Sequence, residues 1–206
     1  MPKLSSRDIA NISVLTALSA GMLLLGIEYP FIYLPYLKID ISEIPILLVA
    51  IMFGPVSAFI SSVIVGFIVA IRNPVGAVFK FAAIISNALP LALMVNLPKR
   101  TREKTHSYSA MLKMLWFVGF ISILIRTFLM VVLNYIMIDI FAKLGMLGDI
   151  TSVEEWAQIW GMSISLLLII TGIFNIIQGA INVSGAIIIV QKLPPEWVPE
   201  WLKRSD

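Results

Sequence analysis

The sequence predicts an all-α integral membrane protein: a six-helix transmembrane bundle with both termini cytoplasmic, forming one domain over residues 1–206. Three observations predict it. Of 206 residues, 59% are hydrophobic and only 13% charged, against about half and a quarter in soluble domains. Apolar runs recur at lengths near the twenty or so residues that a hydrocarbon core of about 30 Å requires. Lys and Arg gather on alternate connections between those runs, as orientation in a membrane demands. This composition, with mean hydropathy +0.97, excludes a soluble globular domain, a disordered chain and a nucleic-acid module, despite the net charge of +3. The chain has no cysteine and one histidine, which removes disulfides, thiolate metal sites and cysteine nucleophiles and leaves little metal chemistry.

The first span is expected over about residues 9–27, behind polar residues carrying Lys3 and Arg7. Its length, and the hydrophobic chain that follows it, argue against a cleaved signal, and Asp8 sits favourably at a helix N-terminus. Residues 28–42 read EYPFIYLPYLKIDIS; Pro30, Pro35 and the tyrosines predict an ordered, non-helical loop at the membrane interface. The apolar stretch from Glu43 to Ile71 is broken at Gly54-Pro55, giving spans of about 43–53 and 55–71. The shorter covers only roughly 16 Å, so it must be extended by residues 38–42 or be shielded by neighbours. Further spans follow at about 75–97, 111–138 and 163–190. The connection from Asp139 to Met162 is acidic, with Trp156 and Trp160 read as interfacial belt residues.

Six crossings place Lys3, Arg7, Lys99, Arg100, Arg102, Lys104, Lys113, Lys192, Lys203 and Arg204 inside, and only Lys38, Arg72 and Lys143 outside. A single crossing over residues 43–71 would move the Arg100 loop outside while Lys3 and Arg7 stayed in. Six therefore fits the charge distribution far better.

Charges within spans need an explanation. Lys80, about five residues into its span, either snorkels to the headgroups or pairs. Arg126, near the middle of span 5, is too deep to snorkel and calls for an ion pair or a carbonyl partner. Asn175, Gln178 and Asn182 share one helix face, and Asn87 and Asn134 add two amides on neighbouring spans. These groups either join helices or offer a neutral polar ligand donors and acceptors at no charge-desolvation cost. Ser13, Ala17 and Gly21 recur at every fourth position with Thr16 and Ala20 beside them, a spacing that lets another helix approach closely, within the chain or in a partner. The chain has no phosphate loop, no H-E-x-x-H and no G-x-S-x-G. No catalytic residue, metal or cofactor is therefore expected, and any ATP use falls to a partner.

The run Leu37-Lys38-Ile39-Asp40-Ile41-Ser42-Glu43-Ile44-Pro45, followed by Phe53-Gly54-Pro55, resembles the first outer loop and second span of the substrate-binding S components of energy-coupling factor (ECF) vitamin transporters. With Asn134 in Leu-Asn-Tyr and with Phe174-Asn175-Ile176-Ile177-Gln178-Gly179, the chain is most similar to the riboflavin-specific members. The resemblance implies a six-helix bundle in a prokaryotic cell membrane, its pocket opening outward under the loop between spans 1 and 2. It implies riboflavin as transported ligand, and as partners a transmembrane coupling subunit and two cytoplasmic ATPases, whose ATP use topples the S component to expose the pocket inward. Carried over by position, Asn134 and Asn175 bond the polar edge of the flavin. Gln178 stands where the family has the lysine of an Asn-x-x-Lys pattern, with Lys80 as an alternative donor. Tyr36, Leu37, Lys38, Asp40 and Asn87 complete the expected ligand-binding set, while Ser13, Thr16, Ala17, Ala20 and Gly21 resemble the face that docks on the coupling subunit.

Riboflavin joins a flat apolar tricycle to a pyrimidine-dione edge and a polyol tail. Its site calls for an apolar slot, several amides and no strong charge, which Phe31, Tyr33, Tyr36 and the amides could supply. A phosphorylated flavin would need a basic cluster, and the outer loops are net acidic. Asp40 and Glu43 keep thiamine open, Lys80 and Arg126 keep biotin open, and a ligand-free scaffold whose amides only join helices is the reading from another class.

Overall fold

The computed structural model describes residues 4–94, 108–194 and 197, and among these it has seven helices and one β-hairpin. Lys3, the basic loop from Lys99 to Lys104, His106, and Lys203 with Arg204 lie outside the described residues. Helix α1 (Ser6–Leu24) starts at a capping box: Asp8 N donates to the Ser5 hydroxyl, and Ser5 N donates to the Asp8 carboxylate at 2.8 Å. The following loop is a hairpin of β1 (Glu28–Phe31) and β2 (Leu34–Asp40), antiparallel with Glu28 opposite Asp40 and Pro30 opposite Lys38. This corrects the all-α expectation. Prolines exclude a helix, but each strand of a two-stranded ribbon has a free edge where a missing N–H disrupts no ladder.

Helices α2 (Ile44–Phe53) and α3 (Pro55–Arg72) are separate, joined at Gly54, whose φ of 86° favours glycine. Ten residues make α2 only about 15 Å long, and Pro45 to Ile51 are all buried among α1, α3, α4 and α7. It is shielded by its neighbours, as its length required. Next come α4 (Pro74–Leu93), α5 (Tyr108–Lys143), α6 (Val153–Ile159) and α7 (Ile164–Lys192). Helix α5 packs on both α4 and α7. Gly119 permits the closest approach, since a Cβ there would stand 2.8 Å from Val183 Cγ1.

Four helices, α3, α4, α5 and α7, are long and apolar enough to cross a membrane. Helix α1 carries Arg7 and Asp8 and does not join them, and α2 is too short. The outward faces are apolar, with Phe59, Phe67, Phe117, Phe128 and Ile169 exposed, whereas Asn87, Ser122, Arg126, Asn175 and Asn182 are buried. A surface greasier than its interior suits a hydrocarbon solvent and no aqueous one. The extra helix, α6, lies in the connection read as a loop. Its signal was present: the Ser152 hydroxyl accepts from Glu155 N, and Glu154 and Glu155 occupy the first turn.

The Arg7 guanidinium lies 5.1 Å from the centroid of the Trp197 ring, so the start of α1 and the segment beyond α7 share one end of the bundle. The hairpin, the α3–α4 turn at Asn73 and helix α6 lie at the other. Of the small residues on α1, Thr16 and Ala20 are buried, with Thr16 donating to Ser61 Oγ at 2.8 Å. Ser13 and Ala17 are exposed, and Gly21 has open space where a Cβ would be. Thr16 therefore faces α3 and Ala20 is buried within the chain, and only Ser13, Ala17 and Gly21 are left to an outside helix.

Candidate functional site

A cavity of about 590 Å³ lies beneath the hairpin. The C-terminal ends of α1 and α3, the N-terminal half of α4, the C-terminal half of α5 and the first half of α7 wall it, and Tyr36, Leu37, Lys38 and Asp40 reach it from β2. Its rim holds the Glu28–Lys38 ion pair and Arg72, whose Nη1 donates to Leu24 O at 3.3 Å.

The floor is ionic. Lys80 Nζ bonds Asp40 Oδ2 at 2.8 Å, Asp40 Oδ1 at 3.0 Å and Glu43 Oε1 at 3.0 Å. From the far side, Arg126 grips Glu43 with two nitrogens, Nη1 to Oε2 and Nη2 to Oε1 at 3.2 Å. Its Nε donates to Asn175 Oδ1 at 3.2 Å and its Nη1 to Ala83 O at 3.3 Å. Two carboxylates and two cations thus close a neutral quartet, with Arg126 only 2% and Glu43 1% exposed. Burial at this depth is tolerable because each charge has an opposite partner and further hydrogen bonds. Lys80 pairs and does not snorkel; Arg126 has both an ion pair and a carbonyl. The expectation of a site without strong charge is corrected: the charges are present and cancel.

The amides divide. Asn134 lines the cavity on α5, its Nδ2 donating to Met130 O at 2.8 Å, and its Oδ1 has no partner among the described residues. Asn175 also lines it, with Oδ1 taken by Arg126 and one Nδ2 hydrogen given to Thr171 O at 2.8 Å. Gln178 lines it too, but both ends of its carboxamide meet the backbone of Asp40. Asn87 is placed elsewhere: it is fully buried behind the floor, where its amide oriented to suit its neighbours donates to Ser122 O at 3.2 Å and accepts from Arg126 Nη1 at 3.1 Å. Asn182, one turn below Gln178, is fully buried, and neither amide atom has a partner among the described residues.

The model of the family described as ECF transporter, substrate-specific component, matches residues 7–190. The chain belongs to this family. No curated protein matches it in sequence. The protein is accordingly an S component, a transport subunit and a multi-pass membrane protein, and the cavity is where its cargo site is to be sought.

Sequence reasoning found Tyr36 and Phe31 but missed the tryptophans that complete the aromatic roof of this S component. Trp156 lines the cavity from α6, its ring centroid 5.2 Å from that of Tyr36, and Trp160 lies 5.4 Å from the same ring. Both were read as membrane-belt residues; they pack on the hairpin instead, because α6 turns back over the bundle. Phe31 meets Phe174 edge to face at 5.4 Å, and Phe79 meets Phe141 at 6.2 Å, whereas Tyr33 is exposed. Val153 and Ala157 of α6 join Phe31, Leu34, Ile138 and Phe174 in one apolar cluster. That cluster ties the hairpin, α6, the C-terminal end of α5 and the N-terminal end of α7 into a single cap.

Proposed function

We propose that this S component captures riboflavin from outside a prokaryotic cell and delivers it inward with a transmembrane coupling subunit and two cytoplasmic ATPases. The cavity carries the reading. Its volume falls within the roughly 300–1,000 Å³ of small-molecule sites. Tyr36, Phe79, Phe141, Trp156 and Phe174 supply apolar walls for a flat ring system, and the floor is charge-neutral. An uncharged vitamin needs no counter-ion. Thiamine would ask for a carboxylate without a cation and biotin for a cation without a carboxylate, and at the floor both are engaged. A scaffold without ligand has no use for a roofed hollow lined by Asn134 with an open acceptor.

In this reading Asn134 and Asn175 bond the dione edge, the Tyr36–Lys38 segment closes over the ring, and Asp40 and Lys80 border it. Helices α1 to α5 and α7 make six crossings, α2 being sheltered by its neighbours. Among the described residues Arg7, Lys113 and Lys192 lie at the end where α1 begins and α7 finishes, and Lys38, Arg72 and Lys143 at the hairpin end; the sequence of six crossings adds Lys3, Lys99, Arg100, Arg102, Lys104, Lys203 and Arg204 to the first side, and it is this excess that supports cytoplasmic termini. The exposed Ser13, Ala17 and Gly21 face would admit a coupling helix.

Purification in detergent from cells tests the proposal, because flavin absorbs visible light. The protein is expected to be yellow, or to quench added riboflavin saturably. A colourless protein that leaves riboflavin fluorescence unchanged overturns the assignment, and saturable thiamine or biotin binding would replace it.

A further inference from the structure

Gln178 touches the cavity, yet its carboxamide is turned to the hairpin. Nε2 donates to Asp40 O at 2.6 Å, and Asp40 N donates to Oε1 at 3.3 Å. The side chain is 1% exposed. One amide group thus takes both main-chain groups of a single residue, as a neighbouring strand would, at the end of β2 where the ribbon gives way to α2. The Asp40 side chain is held at the same point: Oδ1 accepts from Ser42 N at 2.9 Å, and both carboxylate oxygens accept from Lys80. Asp40 is therefore gripped from α7 by its backbone and from α4 by its carboxylate. The part of the hairpin that reaches the cavity, Tyr36 to Lys38, hangs directly from this post.

We propose that Gln178 is a positioning residue for the covering hairpin, acting on ligand through Asp40 and not as a direct contact. A two-stranded ribbon is marginal by itself, and its register against the bundle must be imposed from outside. Gln178 imposes it by pairing with the free edge of β2 at one residue, which fixes which side chains of the strand face the cavity. The same face of α7 places Asn175 one turn earlier on Arg126. The helix thus uses one amide to orient a floor cation and the next to hold the roof.

The ligand arm of the test rests on the riboflavin reading; the hairpin arm does not. Hydrogen exchange is followed in ligand-free protein on peptides covering residues 28–42 and, as control, α3, in the wild type, Gln178→Leu and Gln178→Glu. Leucine removes both bonds at similar size, and an ionised glutamate loses the donor and sets a carboxylate oxygen against Asp40 O. Exchange at the stem of β2 is expected to rise roughly tenfold or more in both variants, with α3 unchanged. Riboflavin dissociation should quicken by roughly ten- to thirty-fold, the association rate changing far less. Unchanged hairpin exchange in both variants overturns the proposal, as does weaker binding without any change in exchange, which would make Gln178 a direct contact. If Gln178→Leu does not fold, Gln178→Glu decides by the same criteria. If wild-type protein binds no riboflavin, the exchange arm alone decides, and the failure belongs to the ligand assignment.

Discussion

Replacing Arg126 by Met should be the most damaging single change in the floor of the cavity. The guanidinium bonds both oxygens of Glu43, Asn175 Oδ1 and Ala83 O, from a position only 2% exposed. Its loss leaves Glu43, 1% exposed, sharing Lys80 with Asp40, so three charges remain where four had cancelled. Breaking a buried pair by removing one partner costs about 3–5 kcal/mol. For a chain of this size that corresponds to a fall in Tm of about 6–20 °C. Replacing both members, Arg126→Met with Glu43→Leu, leaves Lys80 paired with Asp40 and no stranded charge, so the double variant should recover at least half of the loss. Thermal unfolding of the four proteins of this cycle in one detergent supplies the measurement, with a coupling above about 1 kcal/mol expected. A single variant shifted by less than 2 °C, or losses that merely add, would refute the claim that these charges stabilise one another.

Asn182→Leu should keep or raise Tm, because a buried amide with neither atom bonded among the described residues gives up a cost of about 1–3 kcal/mol when replaced by an apolar group of similar shape; a clear fall would show that Asn182 has a partner. Asn134→Leu should weaken riboflavin binding by about 1–3 kcal/mol, roughly five- to 150-fold in Kd, and an unchanged titration would remove Asn134 from the site. Ala17→Trp, on the exposed face of α1, should leave riboflavin binding intact while abolishing uptake in cells expressing the coupling module. Loss of binding as well would mean a damaged fold and no docking role.

Much of this S component is legible in the chain because lipid imposes one-dimensional rules. The runs ending near Arg72 and Lys192 have to be helical, since no water is available to satisfy their backbone. Pro30 and Pro35 forbid a helix between α1 and α2, and Gly54-Pro55 forces two helices where hydropathy alone shows one stretch. The charge of Arg126 announces a partner before any partner is seen. What sequence spacing leaves undecided is direction. Asn87, Asn175, Gln178 and Asn182 look alike as buried amides, yet one backs the floor, one orients Arg126, one holds Asp40 and one bonds nothing among the described residues, because helix rotation and the path of the hairpin assign the partners. Trp156 and Trp160 carry the residue type of an interfacial belt, and only the return of α6 over the bundle turns them onto Tyr36. The neutral quartet likewise brings together residues 40, 43, 80 and 126 from a strand and the ends or interiors of three helices. Coulomb attraction in a low-dielectric interior is strong only at contact distance, and contact between such distant positions is decided by tertiary packing alone.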